Sequence, residues 1–184
     1  MPQKIMVGYS TWSGTTHEVA TFIAENLQAQ GFETNTLNLK IKNIPVADYD
    51  AFILGTSIHA GKPVNSFVSF LRMNHELIRM KPTAFFIVCA NMYEDTPENR
   101  EETLQWIHDA IKDIPELSPL DIGLFGGAVL TSGEDYDKLL FLLKPIIKGM
   151  KKSVVEKLGH EDFRDWGKIK KWTTDISGQI KKTP

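Results

Sequence analysis

The feature that most restricts the fold is an alternation of short apolar runs with amphipathic stretches of helical period. "KIMVGY" (residues 4–9) is short and apolar, and residues 15–30 carry Val19, Phe22, Ile23 and Leu27 at helical spacing before Gly31, a helix stop. The pair then recurs. "FETNTLNL" alternates like a strand, "AFILGT" reads as a buried strand, and "VNSFVSFLRMNHELIRM" follows as a helix with Phe67, Phe70, Leu71 and Leu77 inward. "TAFFIVCA" is a further buried strand, with Cys89 read as a core thiol. In "TPENREETLQWIHDAIKDI", Thr96 is placed as N-cap, Pro97 at the first helical position and Glu98 in the first turn. "LDIGLFGGAVL" is a glycine-rich fifth strand, and "DWGKIKKWTTDISGQI" is a closing helix whose Trp166 and Trp172 pack against the sheet. Parallel strands need crossovers, so such alternation predicts one α/β domain over 1–184. Its five-stranded parallel sheet, in the order 2-1-3-4-5, is covered on both faces by helices.

In sheets of this kind a ligand binds outside the carboxyl ends of the strands, where the strand order reverses. The turn after the first strand is Ser10, Thr11, Trp12, Ser13, Gly14, Thr15, Thr16, and it runs directly into a helix. Hydroxyls and free amides at a helix amino terminus favour an anion such as a phosphate, and Gly14 permits close backbone approach. No lysine or arginine stands in the turn, and the chain lacks both G-x-x-x-x-G-K-[ST] and G-x-G-x-x-G. A receiver domain would want carboxylates at the ends of strands one and three, where Tyr9, Ser10, Gly55 and Thr56 stand. A cysteine phosphatase would want a thiolate in the first loop, and the lone cysteine is elsewhere. What remains is a neutral cradle for a single phosphate. The net charge of −2 over 184 residues gives no basic footprint for nucleic acid, and one cysteine excludes an internal disulfide and a cysteine-rich metal site. The amino-terminal residues show no signal-peptide pattern and no run reaches membrane-spanning length, so a cytoplasmic location is expected.

The spacing Tyr9-x-Thr11-x-x-Gly14-x-Thr16-x-x-x-Ala20-x-x-Ile23 resembles the signature of the flavodoxin superfamily, with Gly8 departing from the apolar residue usual there. "GTSIHAGKPVNSFVSFL", "YDKLLFLLKPIIKGMKK" and a late "DW" are similar to the menaquinone-dependent protoporphyrinogen IX dehydrogenase group within it. The resemblance implies a flavodoxin-like three-layer sandwich holding FMN. It implies phosphate contacts from Thr11, Trp12, Ser13, Gly14, Thr15 and Thr16. It also implies flavin-ring contacts from Ser57, Ile58, His59, Ala60 and Gly61, and from Ala90, Asn91, Met92 and Tyr93. The implied reaction oxidises a porphyrinogen and passes electrons to a quinone. The alternatives are a flavodoxin carrier serving a redox protein and an NAD(P)H:quinone reductase. No side chain stands out as an acid or base, so no catalytic residue and no metal ligand is assigned.

Around the second loop His59 and Lys62 favour a reduced, anionic flavin, while Glu94 and Asp95 in the third oppose it. Residues 136–157, if helical, put Leu139, Leu142, Leu143, Ile146, Ile147 and Met150 on one face. Lys144, Lys148, Lys151 and Lys152 take the other with Phe141, and Pro145 kinks the helix or starts a second one. Three uses fit: an ordinary docking helix with a solvated lysine face, a frame for a tetrapyrrole's carboxylates, or a peripheral contact of 138–152 with an anionic membrane.

Overall fold

In the computed structural model of the chain, which describes residues 2–115, 117–129, 131, 137, 141 and 144–182, the alternation becomes a doubly wound sheet. The strands are β1 (Lys4–Ser10), β2 (Glu33–Asn38), β3 (Ala51–His59), β4 (Lys62–Pro63), β5 (Thr83–Cys89) and β6 (Ile122–Gly126). The helices are α1 (Thr15–Gln28), α2 (Asn65–Ile78), α3 (Pro97–Ile111), α4 (Lys144–Leu158) and α5 (Trp166–Ile180). Five strands pair in parallel in the order β2-β1-β3-β5-β6, which is the expected order once the two-residue β4 is set aside. The register is regular, with Val7 opposite Thr36 on one side and Ile53 on the other. The order reverses between β1 and β3.

Alternate strand residues feed two cores. Ile5, Val7 and Tyr9 meet Val19, Ile23 and Leu27 of α1 and Ile169, Trp172 and Ile176 of α5. Met6, Phe52, Leu54 and Phe85 face Phe67, Phe70, Leu71 and Ile78 of α2, and Ile87, Cys89 and Leu124 face Ile107 of α3. Leu77, expected inward, is instead partly exposed. The helical turn carries Ile78 inward from Leu71, seven positions earlier. Gly8 has a packing reason: a Cβ there would stand 2.6 Å from Leu39 Cδ2 and 2.8 Å from Leu54 Cδ2. Gly31 ends α1 at φ +90°, where Phe32 N–H donates to the Leu27 carbonyl.

Two further details depart from the expectation, and a third selects between the alternatives left open for Pro145. Residues 57–59 are strand rather than loop, because β3 continues to His59 and turns back antiparallel into β4 (Ile58 opposite Pro63, His59 opposite Lys62). The fifth strand of the reading stops at Gly126, and Ala128 then bridges antiparallel to Asp162. A Cβ on Gly126 would overlap the Phe163 carbonyl, so that glycine lets the two segments cross. Finally, α4 starts at Lys144 with Pro145 in its first turn, where a missing N–H costs no hydrogen bond. Leu139, Leu142 and Leu143 lie outside the described residues. Trp172 packs edge-on against Phe125 and donates from Nε1 to Asp121 at 2.7 Å, and Trp166 packs edge-on against Phe22.

Candidate functional site

At the switch point the hydroxyl turn opens α1 from Gly14, held at φ +103°. Gly14 N–H donates to Thr11 Oγ1 at 2.9 Å, and Gly14 O accepts from His17 and Glu18. The amides of Thr15 and Thr16 therefore stand in the first turn without an intrahelical acceptor, and no side chain caps them. Thr15 Oγ1 donates to Ala128 O at 3.0 Å, which ties the turn to the end of β6. Thr16 Oγ1 is buried without a hydrogen-bond partner among the described residues, and so is Ser57 Oγ at the end of β3. A buried hydroxyl left unsatisfied costs about 1–3 kcal/mol. Two of them bordering one turn mark donors prepared for a group from outside the chain.

The second wall is the β3–β4 hairpin. Its two turn residues, Ala60 (φ +48°) and Gly61 (φ +70°), are both left-handed, the geometry that matches the strand twist in a two-residue hairpin. Thr56 Oγ1 fastens the base, accepting from Val64 N at 3.1 Å and donating to Ser57 O. A Cβ on Gly61 would come within 3.2 Å of Trp106 Nε1, so α3 seats the turn closely. The hairpin carries His59 over the first loop, where its ring stacks on Trp12 with centroids 4.2 Å apart and planes 21° from parallel.

The third wall is the turn Ala90–Tyr93. Asn91 Nδ2 contacts Asn99 O, Glu102 Oε2 and Thr103 Oγ1, which fixes the turn on α3. Tyr93 stands edge-on to Phe163 at 6.2 Å. Asp95 is gripped by Lys168 (2.6 Å) and Arg100 (2.9 Å), and the hydrogen bond from Lys168 holds its carboxyl below the usual range. Burial pushes the Cys89 thiol up against the opposing hydrogen bond from Thr103, consistent with a protonated core thiol.

These walls enclose a cleft of about 380 Å³, within the range of small-molecule sites. Of the residues expected at a site, Thr11, Trp12, Ser13, Thr15, Ser57, Ile58, His59, Ala90, Asn91 and Tyr93 line it. Gly14 and Thr16 lie just behind the turn, Ala60 and Gly61 form the hairpin tip, and Met92 is buried in the core beside Ile87 and Ile107. Residues not expected at a site complete the lining: Val88 and Cys89 at the end of β5, Gly127, Ala128 and Val129 after β6, Phe163, and Ile147, Val154 and Leu158 of α4. Of that last trio only Ile147 belongs to the helix face expected from the sequence, and nothing local said what that face met. Among the described residues, no aspartate, glutamate, lysine or arginine lines the cleft. Of the five lysines on α4, Lys151 pairs with Glu161 at 2.8 Å, Lys152 with Glu156 at 3.9 Å and Lys144 with Asp137. Such a cleft can hold an apolar, flat ligand whose single anionic end meets neutral hydroxyls and helix amides.

A doubly wound sheet with a hydroxyl-rich cradle and an apolar cleft at its switch point defines a flavodoxin-like α/β protein. The chain belongs to the flavodoxin domain family, whose sequence profile matches residues 6–157. It is 29% identical over 98 residues to the Escherichia coli K12 protein named protoporphyrinogen IX dehydrogenase (quinone), a match covering 53% of each chain. The matched region thus spans about half the length of that relative. It is 25% identical over 182 residues to the Leishmania major protein of the same name, covering 95% of this chain and 74% of the other. Among solved structures, an archaeal flavodoxin superposes with a TM-score of 0.53 at 14% identity, covering 97% of this chain and 99% of that one. A Fusobacterium nucleatum flavodoxin bound to flavin mononucleotide gives 0.51 at 13%, covering 96% and 98%. At those identities the structural matches speak for the fold alone.

Proposed function

We propose that the protein is an FMN-dependent oxidoreductase that takes electrons from a porphyrinogen, protoporphyrinogen IX, and delivers them to a quinone. The reading rests on the relatives named for that reaction and on one observation of this chain: the apolar face of α4 forms a wall of the cleft. A carrier needs only an open flavin edge, whereas a wall of Ile147, Val154 and Leu158 makes room for an apolar reactant beside it.

The residues fit FMN. The phosphate would meet the amides of Thr15 and Thr16 and the hydroxyls of Thr11, Ser13 and Thr16, and Ser57 Oγ would supply a further bond from the end of β3. Trp12 and His59 on one side, and Tyr93 on the other, are the ring neighbours, with Ile58, Ala90 and Asn91 between them. When bound, FMN supplies reversible one- and two-electron transfer, chemistry that no side chain of the cleft offers. The protein's part is to hold, to exclude water and to set the potential. Asp95 is compensated by Lys168 and Arg100, so the third loop opposes negative charge on the ring less than its sequence suggests. No residue is assigned a proton-transfer role.

The test is anaerobic. The protein is loaded with FMN and mixed with protoporphyrinogen IX and a menaquinone analogue, and porphyrin fluorescence is followed. FMN-dependent porphyrin formation that requires the quinone is the expected result. Reduction and reoxidation only by ferredoxin-type proteins, with no porphyrin formed, makes the protein a carrier, and failure to take up FMN removes both readings.

A further inference from the structure

A second groove opens on the same carboxyl edge of the sheet, on the far side of the hydroxyl turn. One bank is the segment after β2, with Lys40, Ile41 and Lys42, and the other is the first half of α2, with Ser66, Phe70 and Met73. The groove measures about 580 Å³ and, from Ser66 to Asn74, runs about 12 Å along the helix. Its chemistry is uneven. Ile41 is 55% exposed and Met73 82% exposed, so each bank offers a large apolar side chain to solvent. Asn43 at φ +59° turns the first bank sharply, and no hydrogen bond between residues 40–44 and α2 joins the banks.

The charge is one-sided. No carboxylate lines the groove, and neither Lys40 nor Lys42 makes an ion pair among the described residues. The first turn of α2 has no acidic residue and no side-chain cap, which adds positive potential at the Ser66 end. The carboxylate farther along α2, Glu76, is taken by Arg79 and His75. On a chain of net charge −2, this is a basic, apolar-lipped patch. A hydrogen bond of 2.9 Å between Ser10 and Ser66 separates it from the phosphate turn, so it is no extension of the cleft.

We propose that this groove docks an acidic amphipathic segment of a partner protein, with Ile41 and Met73 receiving its apolar side chains and Lys40 and Lys42 pairing with its carboxylates. A groove of two helical turns whose lining includes the buried Leu39 and Phe70 suits a short peptide, which can enter between the banks, better than a flat bilayer, which would meet only Ile41 and Met73. The proposal is independent of what the cleft binds.

The test uses the full chain and a fluorescein-labelled peptide of repeating Leu-Glu-Glu-Leu, with a Leu-Lys-Lys-Leu peptide as control, read by anisotropy. The acidic peptide is expected to bind and the basic one not, with affinity falling at high salt and about tenfold in the Lys40→Glu, Lys42→Glu double variant. Met73→Ser should weaken binding at every salt concentration. Both lysines are exposed, so circular dichroism of the double variant should match the parent. Amide shifts on peptide addition should centre on 39–44 and 66–74. Equal binding of the two peptides, an unchanged double variant or shifts centred elsewhere would each overturn the proposal. So would lysine-dependent sedimentation with phosphatidylglycerol vesicles in the absence of peptide binding.

Discussion

Two hydroxyls carry the sharpest single-residue expectation, because Thr16 Oγ1 and Ser57 Oγ are buried with no partner among the described residues. In the empty protein each is a desolvated polar group that returns nothing, so an isosteric apolar replacement relieves a cost of about 1–3 kcal/mol. With a phosphate present, the same replacement removes a hydrogen bond. Thr16→Val is therefore expected to raise the melting temperature of the FMN-free protein while weakening FMN binding about tenfold, near 1.4 kcal/mol. Calorimetric melting and flavin fluorescence titration read the two halves separately. A variant that loses stability without FMN, or binds FMN as well as the parent, would show that the hydroxyl is packing and no more. The hydroxyl turn was legible in the sequence because polar residues interrupt an apolar run just before a helix. The hairpin was not, since Ala60 occupies a left-handed position that favours glycine or asparagine, and its Cβ gives no hint of the turn.

Among the elements, the regular strands and four of the five helices were legible because periodicity and caps agree. Thr96 does accept from Asn99 N–H at 3.2 Å, with Pro97 opening α3. What sequence could not supply was pairing at a distance. The two-residue β4 is defined only by its bonds to β3, and the end of β6 only by the crossing of Phe163 over Gly126. α4 shows the same limit. Its apolar face is plain in the sequence, but whether that face meets the sheet, a membrane or a ligand is a tertiary fact, and Val154 and Leu158 turn out to line the cleft. Leu158 is 40% exposed at the cleft mouth, so Leu158→Glu should leave the fold intact. If α4 is a wall for the second reactant, this variant should raise the porphyrinogen KM several-fold while the FMN Kd stays close to the parent value. Loss of FMN affinity with an unchanged KM would make α4 a cover for the cofactor instead.

At the scale of the whole molecule, the three walls of the cleft come from distant parts of the chain, and a few charges hold them in register. The Arg164 side chain, 7% exposed, bonds Glu18 of α1 at 2.5 Å and Asp162 at 2.6 Å, and its guanidinium lies 4.8 Å above the Trp166 ring. Lys168 of α5 reaches Asp95 after the third wall, and Phe163 N–H donates to Gly127 O. The segment 161–168 thus clasps the first wall, the third wall and the end of β6 together. For Arg164, burial opposes the charge, but the bonds to Asp162 and Glu18 outweigh it and raise its pKa, so it stays charged throughout the accessible pH range. The titrating partners are the carboxylates: hydrogen bonds from Arg164 and Lys168 hold Asp162 and Asp95 below the ordinary aspartate range. A depressed carboxylate pKa adds stability above the unfolded value near pH 4, and that stability is lost as pH falls through the lower folded value. Both carboxylates are partly open to water, which limits each pair to about 1 kcal/mol. Melting temperature should accordingly hold steady near neutrality and drop below about pH 4. Asp162→Asn should melt lower at neutral pH, lose less on acidification and converge on the parent in acid. Parallel curves for the two proteins would mean that the acid sensitivity resides in other carboxylates. FMN retention should follow the same profile, because a clasp that loosens releases the walls of the cleft before it unfolds the sheet.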